Sequence, residues 1–255
     1  MANLLINKYR NLISHINEID FNGYSILHFA LLREDTDTIK KLIKLGVDIN
    51  SNQKYLLYPS SIDIILHLRN KDIALTFINN KNLIASSLNT INEEGETPLL
   101  TLLRLNNYDI ESKIELMNEI INKESNNLNV KDNHGYTVLD YAIKNNSLKM
   151  IKILINHGDL LEQSINKNKK DMFKFAISHC DIDIIEYFII SDIALFTNDI
   201  IKEIIYQNRL DLLKLLIPNY ININRKDDNN HTFLFYAYEC KNTEIINYLN
   251  EHGGN

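Results

Sequence analysis

Apolar side chains recur along this chain in paired short bursts. Val138, Leu139, Ala142 and Ile143 stand at i, i+1, i+4 and i+5, which draws one stripe along a short helix. Leu148, Ile151, Leu154 and Ile155 draw the stripe of a second. The same doublet is read from Met172 to Ile189 and from Ile200 to Ile217. Helices this short are marginal alone, so each needs a neighbour on which to bury its stripe. Ala30, Ala142, Ala176 and Ala237 take the same place in their first helices, where two helices approach closely. The pattern predicts stacked helix–turn–helix units.

Glycine marks the joints. Gly23, Gly95 and Gly135 stand before first helices, while Gly46, Gly158 and Gly253 follow second helices, where a left-handed cap is expected. Asn230 takes the turn position in the last unit, and asparagine is the next-best residue for positive φ. Turns are therefore expected near residues 20–24, 92–96, 131–136 and 227–231, with shorter or missing turns in units five and six. Gly23 to Gly95 is 72 residues, Gly95 to Gly135 is 40, and Gly135 to Asn230 is 95. These are multiples of a unit of about 33 residues, with one insertion. The insertion is Asn107 to Lys113, between or within the helices of unit three. Thr97 and Thr137 precede first helices and can cap their free N–H groups.

The motifs at these joints carry a family resemblance. Ser25-Ile26-Leu27-His28-Phe29-Ala30 and Thr97-Pro98-Leu99 resemble the TPLHxA motif of ankyrin repeats. Leu42-Ile43-Lys44-Leu45-Gly46-Val47-Asp48-Ile49-Asn50 is similar to that family's repeat ending. Pro59-Ser60-Ser61-Ile62 replaces the motif in the second repeat, and the fifth and sixth keep only the helix pattern. The resemblance implies an all-α ankyrin-repeat solenoid of stacked helix-turn-helix units with β-hairpin turns. It implies one domain over 1–255, with a half-repeat cap at 1–20. Seven repeats follow at 21–50, 51–90, 91–130, 131–163, 164–195, 196–225 and 226–255.

Composition narrows the function. The net charge of −6 lacks the basic face that phosphate backbones require. Cys180 and Cys240 make no disulfide framework and no CxxC motif. No run approaches the ~18 apolar residues of a membrane span, and Met1 to Lys8 lacks the layout of a signal peptide. No phosphate-cradling glycine loop and no HExxH occurs, so no cofactor, metal or catalytic residue is expected. His28 is read as a structural residue of the turn, and His157 and His252 as helix C-terminal residues. His179 and Cys180 are adjacent and point ~100° apart on a helix, a poor base–nucleophile pair. Asp181 and Asp183 are read as a solvated turn, and Lys167, Lys169 and Lys170 as a basic loop.

The resemblance implies a protein-binding module that uses a concave groove and the turn tips. By family analogy the contacts are Phe21, Asn22, Tyr24 and Arg33 in repeat one. Repeat three offers Glu93, Glu94, Glu96 and Arg104, and repeat four Asn133, His134, Tyr136, Lys144 and Asn145. The last repeat offers Asp228, Asn229, His231 and Glu239. Phe21, Tyr136 and Leu105 are expected to be exposed. Lys169, Lys170, Phe173, His179 and Asn208 are expected to reshape the groove in the degenerate centre. Two other readings stay open. Asn50, Asn129 and Asn224 match the position modified by an asparaginyl hydroxylase, and an enzyme site could occupy the degenerate central repeats. The expected partner is another protein, not nucleic acid or membrane, met by a monomer in the cytoplasm or nucleus. Asn- and Ile-rich ankyrin proteins of this kind resemble those of large DNA viruses such as poxviruses, and of low-GC fungi, protists and intracellular bacteria. In a viral setting the cytoplasm is the host's, and the partner a host defence factor.

Overall fold

The computed structural model describes residues 15–50, 60–123, 128–157, 162–190 and 197–255, with no side-chain description for 162–170 and 198. It contains fourteen α-helices among the described residues, in seven consecutive pairs. They are α1 (Ile26–Leu32) and α2 (Thr36–Lys44), α3 (Ser61–His67) and α4 (Lys71–Ile78), and α5 (Pro98–Arg104) and α6 (Ile110–Ile121). Next come α7 (Val138–Lys144) and α8 (Leu148–Asn156), and α9 (Glu162–His179) and α10 (Ile182–Ile190). The last are α11 (Asn198–Tyr206) and α12 (Leu210–Asn219), and α13 (Phe233–Glu239) and α14 (Thr243–Glu251). Among the described residues there is no sheet, and Ile19 forms an isolated antiparallel bridge with Ser25. The all-α repeat solenoid implied by the turn motifs is the class observed.

The chain divides into two compact units, Met1–Tyr141 and Ala142–Asn255. In the first, α1 packs on α3 and α3 on α5, while α4 packs on α6. In the second, α9 packs on α11 and α11 on α13. First helices thus stack on first helices. Leu27, Leu31, Ile39, Phe77 and Leu103 are fully buried in one unit, and Phe173, Phe188, Ile204 and Leu213 in the other. Burying a side chain of this size stabilises by ~1.5–3 kcal/mol. Ala30, Ala142, Ala176 and Ala237 are all buried, as their shared position required.

Five of the seven helix pairs are joined by one recurring device. A residue in the left-handed region stands just before the second helix: Glu34, Arg69, Asn146, Asn208 and Lys241, with φ from 49° to 55°. The next side chain usually caps that helix, as Asp35 does for Thr38 N at 3.0 Å and Asn242 for Ile245 N at 3.1 Å. The insertion acts in both expected ways: it leaves residues 105–109 between the helices and extends α6 to 12 residues. Two expectations need correction. Residues 167, 169 and 170 lie within helix α9 and not in a loop. Phe173 is core, packed edge-on against Phe188 at 6.4 Å, and takes no part in a groove. Most of the half-repeat cap and the joints expected to be short in repeats five and six fall outside the described residues.

Candidate partner-binding surface

Among the described residues four hairpin turns share one form, at 20–24, 92–96, 132–136 and 227–231. All four share one hydrogen-bond scheme. The first residue donates its N–H to the fifth carbonyl, as Asp132 does to Tyr136 at 3.0 Å and Asp227 to His231 at 3.0 Å. Its side-chain oxygen accepts the N–H groups of the third and fifth residues. Asp20 takes those of Asn22 and Tyr24, both at 2.9 Å, and Asn92 takes those of Glu94 and Glu96 at 3.0 and 2.9 Å. The fourth residue has φ between 66° and 88°: Gly23, Gly95, Gly135 and Asn230. Sequence reading found this fourth position and missed the first. An Asp or Asn three residues before each of Gly23, Gly95, Gly135 and Asn230 was the available signal.

The turn tips hold several exposed residues among the expected contacts. Phe21 is 98% exposed, and Asn22, Glu93, Glu94, Asn133, His134, Asp228 and Asn229 are exposed beside it in their respective turns. Adjacent tips are tied together: Asn133 donates its N–H to the Glu94 carbonyl at 3.0 Å and its side-chain amide to the Glu93 carbonyl at 2.9 Å. The next residues inward are partly committed to packing. Tyr24 is half-buried against His28 and Phe29, with ring centroids 6.1 and 5.6 Å away. Tyr136 is half-buried against Tyr141 at 5.7 Å, and Leu105 is also half-buried. His231 stacks on Phe235 at 3.8 Å.

Glu96 departs from the expected exposed contact. It is 1% exposed and its carboxylate pairs with Arg104, which is half-buried, in a fork that includes Nη2 to Oε2 at 3.0 Å. Thr101 adds a hydrogen bond to the same carboxylate at 3.1 Å. A buried carboxylate needs this pairing, so both residues serve the fold. Arg33 is exposed at the end of α1. Lys144 is exposed and stands 5.9 Å from the Phe175 ring, while Asn145 is half-buried. Glu239 is exposed and accepts the Tyr206 hydroxyl at 2.9 Å. Lys169 and Lys170 lie on α9, and their side chains are outside the description. Asn208 accepts the Asn242 side-chain amide at 2.5 Å, which ties the last two repeats together.

The histidines and cysteines have structural places. The Ser25 N–H and hydroxyl both reach His28 Nδ1, at 3.2 and 2.8 Å, and burial lowers the pKa of this imidazole. In the second repeat Ser60 and Asp63 repeat the same box with other side chains. His157 and His252 meet the carbonyls four residues back, each at 2.8 Å. Cys180 is buried, and burial pushes its thiol up to about 12. Its neighbour His179 bonds the Phe175 carbonyl at 2.9 Å and stacks on that ring at 4.1 Å, so no thiolate and base meet there. Lys113 was missed by sequence reading: it is buried, and its ammonium donates to the Leu103 carbonyl at 3.1 Å.

Asn50 and Asn224 bridge to the following repeat. Asn50 donates to the Asn82 carbonyl at 2.7 Å and accepts from Ile84 N at 2.9 Å. Asn224 donates to the Gly253 carbonyl at 2.9 Å and accepts from Asn255 N at 2.8 Å. Asn129 is half-buried in the corresponding place. Among the described residues no cluster of His, Cys, Asp or Glu is arranged to hold a metal, and no helix is long and apolar enough to cross a membrane.

Comparison with known proteins agrees with this architecture. Residues 64–171 and 110–200 match the family profile of ankyrin repeats in three copies, and residues 22–54 match that of a single ankyrin repeat. An ankyrin repeat protein of Acanthamoeba polyphaga mimivirus is 23% identical over 95% of this chain and 33% of its own length. One of fowlpox virus is 30% identical over 53% of this chain and 25% of its own length. An NAD-dependent deacetylase of Dictyostelium discoideum, sir2B, is 25% identical over 61% of this chain and 19% of its own length. The chain thus spans about a third or less of these relatives. Helix pairs, hairpin turns and family profiles coincide along the chain, and it belongs to the ankyrin-repeat family.

Proposed function

We propose that this chain binds a partner protein through its turn tips and the exposed ends of its first helices. Ankyrin repeats as a family mediate protein–protein interaction, and the turn geometry supports that role here. The observation that carries the reading is Phe21, an aromatic ring 98% exposed on a turn held by four hydrogen bonds. A rigidly presented, solvated aromatic contributes little to its own fold and is a strong anchor in an interface. Binding, not catalysis, is the role proposed, since Glu96, Asp132 and Cys180 are each committed to internal pairs or burial. Relatives in two large DNA viruses support the finer reading, a host protein as partner and the host cytoplasm as setting.

The test replaces Phe21, Glu94 and His134 together by alanine in the full chain. Partner recovery by affinity capture should fall at least tenfold, with the unfolding temperature unchanged. Equal recovery by the wild type and the triple variant would remove this surface from the binding role.

A further inference from the structure

A cleft between α11 and the turn at residues 227–231 is lined by Asp199, Lys202, Asp227, Asp228, Asn229 and Tyr236, and holds about 140 Å³. An aromatic corner forms beside it, where Tyr206 and Tyr236 meet edge to face at 6.2 Å and 85°. Both phenols donate to carboxylates, Tyr206 to Glu239 and Tyr236 to Asp227. With the hydroxyls engaged, the corner presents the ring of Tyr206, which is 44% exposed, while the Tyr236 ring is 5% exposed with Lys202 over it. A cation of the chain itself already uses both rings: Lys202 Nζ stands 4.6 Å from the Tyr236 centroid and 5.4 Å from that of Tyr206. Ring faces attract cations through their quadrupole, and here the attraction is visible in the geometry.

The charge around the cleft has the same sign preference. Among the residues that line the cleft, Asp199, Asp227 and Asp228 outnumber the one ammonium, that of Lys202. Asp227 is consumed by its turn, accepting Asn229 N at 2.9 Å, His231 N at 2.8 Å and the Tyr236 hydroxyl. Asp228, at the tip, is exposed and forms no ion pair with another described residue. The cleft thus joins an aromatic corner that holds a cation to a carboxylate open to solvent.

We propose that this cleft receives an arginine side chain of a protein partner, its guanidinium stacked on the tyrosine corner and hydrogen-bonded to Asp228. Lys202 is the resident cation that the arginine displaces. A planar guanidinium can stack on a ring and fork onto a carboxylate at once, whereas a compact ammonium holds its water more tightly. The inference rests on the protein-binding reading and names the partner chemistry for the last repeats.

The experiment uses the full chain with carbon-13 in its tyrosine rings. The probe is acetyl-Gly-Gly-Arg-Gly-Gly-amide, compared with its neutral citrulline twin. The arginine peptide should shift the Tyr206 and Tyr236 ring signals saturably, and the citrulline peptide should not. Asp228→Asn should weaken the arginine peptide several-fold, added salt should weaken it further, and Lys202→Gln should tighten it. Equal shifts with citrulline, or affinity unchanged in Asp228→Asn, would overturn the assignment. If that happens while the Phe21, Glu94 and His134 variant still loses its partner, the cleft fails and the docking surface stands. If arginine binds the cleft as expected and that variant keeps its partner, the docking surface fails and the cleft stands.

Discussion

Asp132 accepts a hydrogen bond from the Tyr141 hydroxyl at 2.6 Å, nine residues along the chain. Its other oxygen accepts the N–H groups of His134 and Tyr136, both at 2.9 Å. One carboxylate thus locks a turn and anchors it to the helix that follows. Asp227 and Tyr236 form the same pair at the same spacing in the last repeat. In the third repeat the pair is Asn92 with Thr101, at 3.4 Å.

This pair has a pH signature. Burial alone would raise the Asp132 carboxyl, but the Tyr141 hydroxyl and the turn N–H groups outweigh it and hold it below the usual range. A depressed carboxylate contributes stability above its unfolded pKa, and loses it as pH falls through the folded one. Tyr141→Phe should therefore cost about 1.5–3 kcal/mol at neutral pH, the scale of a hydrogen bond to a charged group. The gap between variant and wild type should close below about pH 4. Urea unfolding across pH checks this, and a gap that stays constant would count against the pairing.

Removing Arg104 leaves the Glu96 carboxylate buried at 1% exposure without its cation. Arg104→Ala should cost about 3–5 kcal/mol, and Arg104→Ala with Glu96→Gln together should cost less than the single change. A double-mutant cycle in thermal unfolding measures it. Additive losses would mean that the pair does not carry the energy.

Asp63 behaves in the opposite sense to Asp132. It is 1% exposed, and burial raises its pKa despite the Ser60 hydroxyl at 2.7 Å. A raised carboxyl favours the fold when protonated, so its contribution is lost as pH rises from about 4 through the folded value. Asp63→Asn should gain stability relative to wild type between low and neutral pH. A stability difference independent of pH would show that Asp63 is not desolvated in solution.

Gly95 and Gly135 separate backbone strain from crowding. Both lie in the left-handed region, at φ of 77° and 83°. A Cβ on Gly95 would meet Asn133 Oδ1 at 2.6 Å and Asn133 N at 3.0 Å, while one on Gly135 meets nothing within 4 Å. Gly135→Ala should cost on the order of 1 kcal/mol, and Gly95→Ala clearly more. Chemical denaturation of both variants compares them, and equal costs would deny the close approach of the two turns.

Much of the fold was legible because its devices are local. Gly23, Gly95, Gly135 and Asn230 mark their turns through a φ sign that most side chains avoid. Thr97 caps its helix through Leu100 N at 3.4 Å, within one helical turn. The small residue at Ala30 and its equivalents reports a close helix approach by size alone. The candidate surface was less legible. Phe21 was placed at the tip correctly, because a turn residue projects by geometry. Tyr136 and Leu105 were expected to be open and are half-buried.

The sequence by itself determined the repeat, the helix pairs and most of the turn positions, since each rests on interactions spanning about ten residues or fewer. Only the tertiary structure decided which polar side chains face another repeat. Arg209 stands where other second helices carry a capping side chain, yet it reaches back to the Ile177 and Cys180 carbonyls at 2.6 and 2.9 Å. Asn50 reaches forward to Asn82 and Ile84. Phe173 looks like a groove residue along the chain, and Phe188 buries it. In a stack of repeats the surroundings of a side chain are set partly by residues about one repeat away, and the distance along the chain hides that contact until the helices are packed.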